Sequence, residues 1–191
     1  MRTTGIEKLL LDVVKVLNKL KIKYFVTGGY AVSLWGEIRS TIDIDIVVEL
    51  VEPQIKPLTQ ELRKNFKNCY IDEEVATEAI RQKSEFNFIN PYVGLKIDFW
   101  VAKDDKKAKL EYQHRIAKTV NNQKVYFISP EDLILNKLIW ARETQSDYHL
   151  RDVELIFKNS KVDLKYIKKQ AENYRISNIL KKASKKLQNK L

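Results

Sequence analysis

The sequence predicts a mixed α+β fold, with a sheet-bearing first part followed by an all-helical second part. Three observations carry this. Residues 42–50 and 95–101 alternate apolar and polar side chains, the period of a strand that buries one face. Segments with apolar residues at three- and four-residue steps separate these runs. From Ser129 onward the spacing is helical throughout, which sets the expected boundary between a domain at 1–128 and a helical bundle at 129–191.

Taken in order, Ile6, Leu9, Leu10, Val13, Leu17 and Leu20 line one face of a first helix. Tyr24–Thr27 reads as a short strand, and 29–35 as a helix with Gly36 just past its end. Residues 39–41 are loop, and 42–50 form the second strand. Helices are expected at about 57–66 and 73–81, then a strand at 86–89, a turn at 90–94 and a strand at 95–101. A helix over 106–114 precedes a hairpin, with strands at 116–120 and 124–127 around Asn121-Asn122-Gln123. Ser129-Pro130-Glu131-Asp132 is a helix start: a capping hydroxyl, a proline in the first position and acids in the first turn. Helices follow at about 130–143, 147–159, 163–173 and 176–189.

The chemistry concentrates in residues 27–45. Ile42, Ile44 and Ile46 would face a core, leaving Asp43 and Asp45 together on the other face, roughly 7 Å apart along the strand. Two carboxylates this close repel unless a cation lies between them, and hard oxygen donors suit Mg²⁺. In the strand at 95–101, Leu95, Ile97, Phe99 and Val101 share one side, while Lys96, Asp98 and Trp100 share the other. Laid beside the first strand with polar faces aligned, it would add Asp98 to the pair. Upstream, Gly28-Gly29 ends an apolar strand and opens a helix, a place where backbone N–H groups and the helix dipole can meet a phosphate. Arg39, Ser40 and Thr41 lie between that cradle and the carboxylates. A phosphate site next to a metal site is what phosphoryl or nucleotidyl transfer requires.

Composition narrows the setting. The chain has 191 residues and one cysteine, Cys69, so no intrachain disulfide can form. One cysteine and two histidines make a zinc site a poor expectation. No apolar run approaches the roughly 20 residues of a membrane span, and no signal segment is evident, so the expected location is cytoplasmic. Net charge is +10, of which residues 161–191 supply +8, with ten basic residues against Asp163 and Glu172. A basic helical tail suits a polyanion such as RNA. The same balance argues against a polycationic acceptor, which would want an acidic pocket. Trp35, Trp100 and Trp140 read as packing residues, and the two histidines receive no role.

Gly28-Gly29, then Arg39-x-Thr41-x-Asp43-x-Asp45, then Asp98 on a later strand, resembles the DNA polymerase β-type nucleotidyltransferase superfamily. The double glycine is similar to the AbiEii-like branch, the abortive-infection and type IV toxin nucleotidyltransferases, as are Ser129–Leu133, Lys137 and Arg151-Asp152. The resemblance covers about residues 5–157. It implies a nucleotidyltransferase-fold domain that moves a nucleoside monophosphate from a nucleoside triphosphate to a hydroxyl on RNA, such as a tRNA, or on a protein, with an antitoxin as a partner. It implies catalytic roles for Asp43, Asp45 and Asp98 as ligands of two Mg²⁺ ions, with Mn²⁺ as the substitute, and Asp98 alternatively as general base. Gly28, Gly29, Arg39, Ser40, Thr41 and Lys137 would meet the phosphates. The competing expectation is a catalytically silent RNA- or protein-binding module that keeps the fold.

Overall fold

A computed structural model of the chain describes residues 5–38, 41, 43–92 and 94–188. The elements are α1 (Gly5–Lys19), β1 (Lys23–Thr27), α2 (Gly28–Trp35), β2 (Asp43–Glu49), α3 (Ile55–Asn65), α4 (Glu73–Gln82), β3 (Glu85–Asn90), β4 (Leu95–Val101), α5 (Lys106–His114), β5 (Ile116–Val120), β6 (Gln123–Phe127), α6 (Pro130–Thr144), α7 (Asp147–Asn159), α8 (Leu164–Asn173) and α9 (Ser177–Gln188). They fall into two compact units. One comprises Met1–Tyr30 with Ser40–Phe127, the other Ala31–Arg39 with Ile128–Leu191.

The first unit is a six-stranded mixed sheet in the order β3-β4-β2-β1-β6-β5. β2 runs antiparallel to β1 and parallel to β4, and β3 closes antiparallel on β4. The alternation read from the sequence decides the faces. Ile44, Ile46 and Val48 of β2 and Ile97, Phe99 and Val101 of β4 are all buried. With Phe86 and Phe88 of β3 they make the core side of the sheet, where Phe86 stacks on Phe99 at 5.1 Å and Phe66 meets Phe88 edge-on. The buried stripe of α1 (Leu10, Val13, Val14, Leu17) and that of α3 (Ile55, Leu58, Leu62) complete the core. The polar residues of β2 and β4 are thereby left on the opposite face.

Local chemistry explains most boundaries. The β5–β6 hairpin turns on Asn121 and Asn122, both at positive φ, the two-residue geometry whose twist matches its strands. The third helix starts at Ile55, two residues ahead of Pro57, after a single 3₁₀ turn at Glu52–Gln54. Proline in a first helical turn loses no bond the helix needs, so it marks the inside of that start.

In the second unit Ser129 caps α6 as its sequence indicates. Its hydroxyl accepts from the Asp132 amide, and Asp132 receives a hydrogen bond from Tyr166 of α8 at 2.7 Å. The end of α2 groups with these helices, a departure from the single cut expected at Ser129. The reason is local bonding: the Trp35 indole donates to the Ile128 carbonyl at 2.9 Å, and the Ser160 hydroxyl donates to the Trp35 carbonyl. Among the described residues no helix is long and apolar enough to cross a membrane.

Truncating the core partner of the polar face tests this frame. Phe99→Ala is expected to cost about 3–5 kcal/mol in urea unfolding, the range for emptying a fully buried aromatic site.

Candidate functional site

The parallel register of β2 on β4 puts Asp43 opposite Lys96 and Asp45 opposite Asp98. On either side, Thr27 of β1 pairs with Asp45, and Asn87 of β3 pairs with Asp98. One row across four strands therefore reads Thr27, Asp45, Asp98, Asn87. The next row, one side-chain period along, holds Val47, Trp100 and Glu85. Asp43, Asp45 and Asp98 are thus brought to one face of the sheet.

Each carboxylate has its own partner there. The hydroxyl of Thr41, a residue expected at a phosphate, donates to Asp43 Oδ1 at 2.8 Å. The Trp100 indole N–H donates to Asp45 Oδ1 at 3.1 Å. Lys96 Nζ lies 2.8 Å from Asp98 Oδ2. That hydrogen bond, with the charges of Asp98, Asp43 and Glu85, raises the Lys96 pKa above the ordinary lysine value against the opposing effect of burial. Burial and then the Asp98 charge push the Glu85 carboxyl up, with Asp45 adding to it and Lys96 opposing.

Asp98 is only 6% exposed, and its Oδ1 has no hydrogen-bond partner among the described residues. The buried Thr27 hydroxyl, across Asp45 in the same row, is also unpartnered there. Orphaned polar atoms inside a protein cost roughly 1–3 kcal/mol each and call for an occupant. A hard cation satisfies a carboxylate oxygen of this kind, so the donor set fits a divalent ion. The sidedness expected of the three aspartates is present, but a finished cage is not. Among the described residues, no three His, Cys, Asp or Glu side chains are arranged to hold a metal as they stand. The tethered Lys96 ammonium and the Trp100 indole take carboxylate oxygens that an ion would otherwise engage.

Gly28 shows why the turn before α2 needs glycine. Its φ is +62°, and a Cβ there would fall 1.8 Å from Asp45 Oδ2. The elbow and the carboxylate therefore occupy one close-fitting spot, with Gly29 following in the first turn of α2. Arg39 and Ser40, expected at the phosphates, lie outside the described residues.

Lys137, also expected at the phosphates, has a close partner of its own. It is buried in the second unit, 2.8 Å from Asp152 Oδ2, with its ammonium 5.1 Å from the Trp140 ring centre. Its charge is committed to joining α6 to α7, because a buried ammonium must be paired where it sits. Asp152 of α7 is the partner in this pair, so the bond runs between neighbouring helices. Trp100 was read as packing, yet it is 39% exposed and bonded to Asp45. Its position on the polar side of the 95–101 alternation was the available signal.

A mixed sheet that holds acidic side chains on neighbouring parallel strands, beside a glycine elbow that opens a helix, is the core of the nucleotidyltransferase fold. Solved structures agree. The structure of ANT(2")-Ia in complex with adenylyl-2"-tobramycin matches with TM-score 0.64 at 14% identity, over 90% of this chain and 98% of that one. An antigenic nucleotidyltransferase-like protein from Paracoccidioides brasiliensis matches at TM-score 0.56 and 21% identity, over 78% of this chain and 74% of that one. A nucleotidyltransferase-type structure from Thermotoga maritima matches at 0.54 and 15%, over 78% and 92%. At these identities the likeness is one of fold.

The family follows from sequence. A family model described as "Nucleotidyltransferase of unknown function (DUF6036)" matches residues 6–190, and the chain belongs to that family. It is a nucleotidyltransferase. The matching model is not that of the AbiEii-like branch, so the finer likeness stands on the residues quoted for it alone. No curated protein matches the sequence.

The elbow is open to direct test. Gly28→Ala is expected to lower the nucleotidyl-transfer rate at least ~100-fold, because Asp45 must move, while the left-handed backbone costs only about 1–2 kcal/mol in urea unfolding.

Proposed function

We propose that this chain transfers a nucleoside monophosphate from a nucleoside triphosphate to a hydroxyl acceptor on RNA or on a protein side chain, releasing pyrophosphate, with Mg²⁺ as cofactor. The observation that carries this is the Asp45–Asp98 cross-strand pair beside the Gly28 elbow, with the buried Asp98 Oδ1 left for a ligand.

The chain's own residues divide the work. Backbone N–H groups at Gly28 and Gly29 cradle the triphosphate, with Arg39, Ser40 and Thr41 supplying further phosphate contacts. Asp43, Asp45 and Asp98 would hold divalent ions, which when bound activate the attacking hydroxyl and neutralise the leaving pyrophosphate. Thr41 and Trp100 keep Asp43 and Asp45 in fixed orientations. Such transfer needs little acid–base apparatus; positioning and charge neutralisation dominate. The basic C-terminal helices support an RNA partner, and the AbiEii-like residues support a toxin held in check by an antitoxin protein.

One observation favours the second reading, a silent binding module. Lys96 already neutralises Asp98, as a structural pair would. Triphosphate labelled at the α or the γ phosphorus separates the two when supplied with Mg²⁺, an RNA pool and cell protein. Transfer of α label with pyrophosphate release is the expected result. Asp45→Asn is expected to reduce it by more than the ~100-fold cost of losing an outer-shell partner, with the circular dichroism spectrum unchanged. Transfer of γ label would make the chain a kinase, and no transfer with salt-dependent RNA binding would make it the silent module.

A further inference from the structure

Glu85 has no part in the roles assigned above, and Trp100 has only that of orienting Asp45. Trp100 lies on the polar face, since the core side of β4 is Ile97, Phe99 and Val101, so packing does not explain its large ring. Its N–H edge is spent on Asp45, while the residue as a whole remains 39% exposed. Glu85 is its direct cross-strand neighbour on β3 and is exposed. Among the described residues no hydrogen bond or ion pair engages the Glu85 carboxylate, although it senses the charges of Asp98, Lys96 and Asp45. An exposed tryptophan paired across strands with an uncommitted carboxylate, one residue period from the reacting carboxylates, is a recognition surface.

The geometry points to Trp100 and Glu85 as the acceptor subsite, taking a hydroxyl-bearing acceptor that carries an ammonium or guanidinium group close to that hydroxyl. This rests on the nucleotidyl-transfer reading but not on its RNA acceptor, in whose place it puts a cationic one. A cation gains from both partners: attraction to the indole face, and a charge-assisted hydrogen bond to Glu85. A nucleobase could stack on Trp100, but its phosphates would meet Glu85, Asp43, Asp45 and Asp98, with Lys96 the opposing cation among these face residues. The acidity is local to this face and is opposite in sign to the chain's net charge of +10. The basic tail therefore says nothing about this subsite, and the expectation drawn from overall charge against a cationic acceptor does not hold for it.

Two sources share the chemistry, a serine flanked by lysines in a peptide and an amino sugar. Tryptophan fluorescence of the full chain, without nucleotide or metal, reads binding directly. The probes are the peptide Lys-Ser-Lys and glucosamine, each against its N-acetylated neutral form, and an RNA hexamer with a free 3′-hydroxyl. At least one cationic probe is expected to quench about tenfold more tightly than its neutral form. Glu85→Gln should reduce that ratio to about twofold or less, and Trp100→Phe should abolish the quench, which places it at this ring. The cation with the larger Glu85-dependent ratio names the source. A ratio unchanged by Glu85→Gln, or tighter quenching by the RNA than by either cation, overturns the proposal. Because no nucleotide is present, a chain that discriminates but transfers nothing keeps the site and loses the enzymatic reading. A chain that transfers but does not discriminate loses the subsite alone.

Discussion

The register of two parallel strands governs the rest of this molecule. Side chains on a strand change face with every residue, so a slip of one position between β2 and β4 would carry Asp98 to the core side and bring Phe99 out. Burial forbids that slip. Ile44, Ile46 and Val48 on one strand, and Ile97, Phe99 and Val101 on the other, must all point the same way, and together they outweigh the repulsion of acids gathered behind them. At roughly 1.5–3 kcal/mol for each large apolar side chain, the core settles where the carboxylates go.

Crowding on the polar face is then a consequence. Three aspartates and Glu85 lie on neighbouring strands within electrostatic reach of one another. Fixed donors relieve part of this: Thr41 at Asp43, Trp100 at Asp45 and Lys96 at Asp98. Lys96 holds Asp98 Oδ2 while Oδ1 has no partner, so a divalent ion reaching Asp98 would meet a resident ammonium beside it. That ammonium would weaken binding of a bare ion by charge repulsion. A triphosphate alters the balance because it brings negative charge that the ammonium can meet.

Most of the fold was legible because its signals are local. Period-two alternation identified β2 and β4, Gly28 announced the elbow, and Ser129-Pro130 announced α6. What escaped depends on partners distant in sequence. Lys137, midway along α6, looks like any basic residue until α7 delivers Asp152 to it. Residues 31–39 read as part of the first domain because their ties to Ile128 and Ser160 span more than ninety positions. Trp100 was discounted for its type, though the alternation that placed Asp98 on the polar face placed Trp100 there too. Asp98 itself was placed from sequence only on condition that β4 pairs with β2, and that pairing is tertiary.

The central claim is that Asp43, Asp45 and Asp98 form one divalent-cation site on the open face of the sheet. Electron paramagnetic resonance of Mn²⁺ titrated into the full chain, with and without ATP, measures it most directly. The account predicts that the free Mn²⁺ signal falls on adding chain and ATP, that Asp98→Asn weakens this binding at least about tenfold, and that Lys96→Met strengthens binding of the bare ion. Equal Mn²⁺ affinity in the wild-type chain and Asp98→Asn would contradict it.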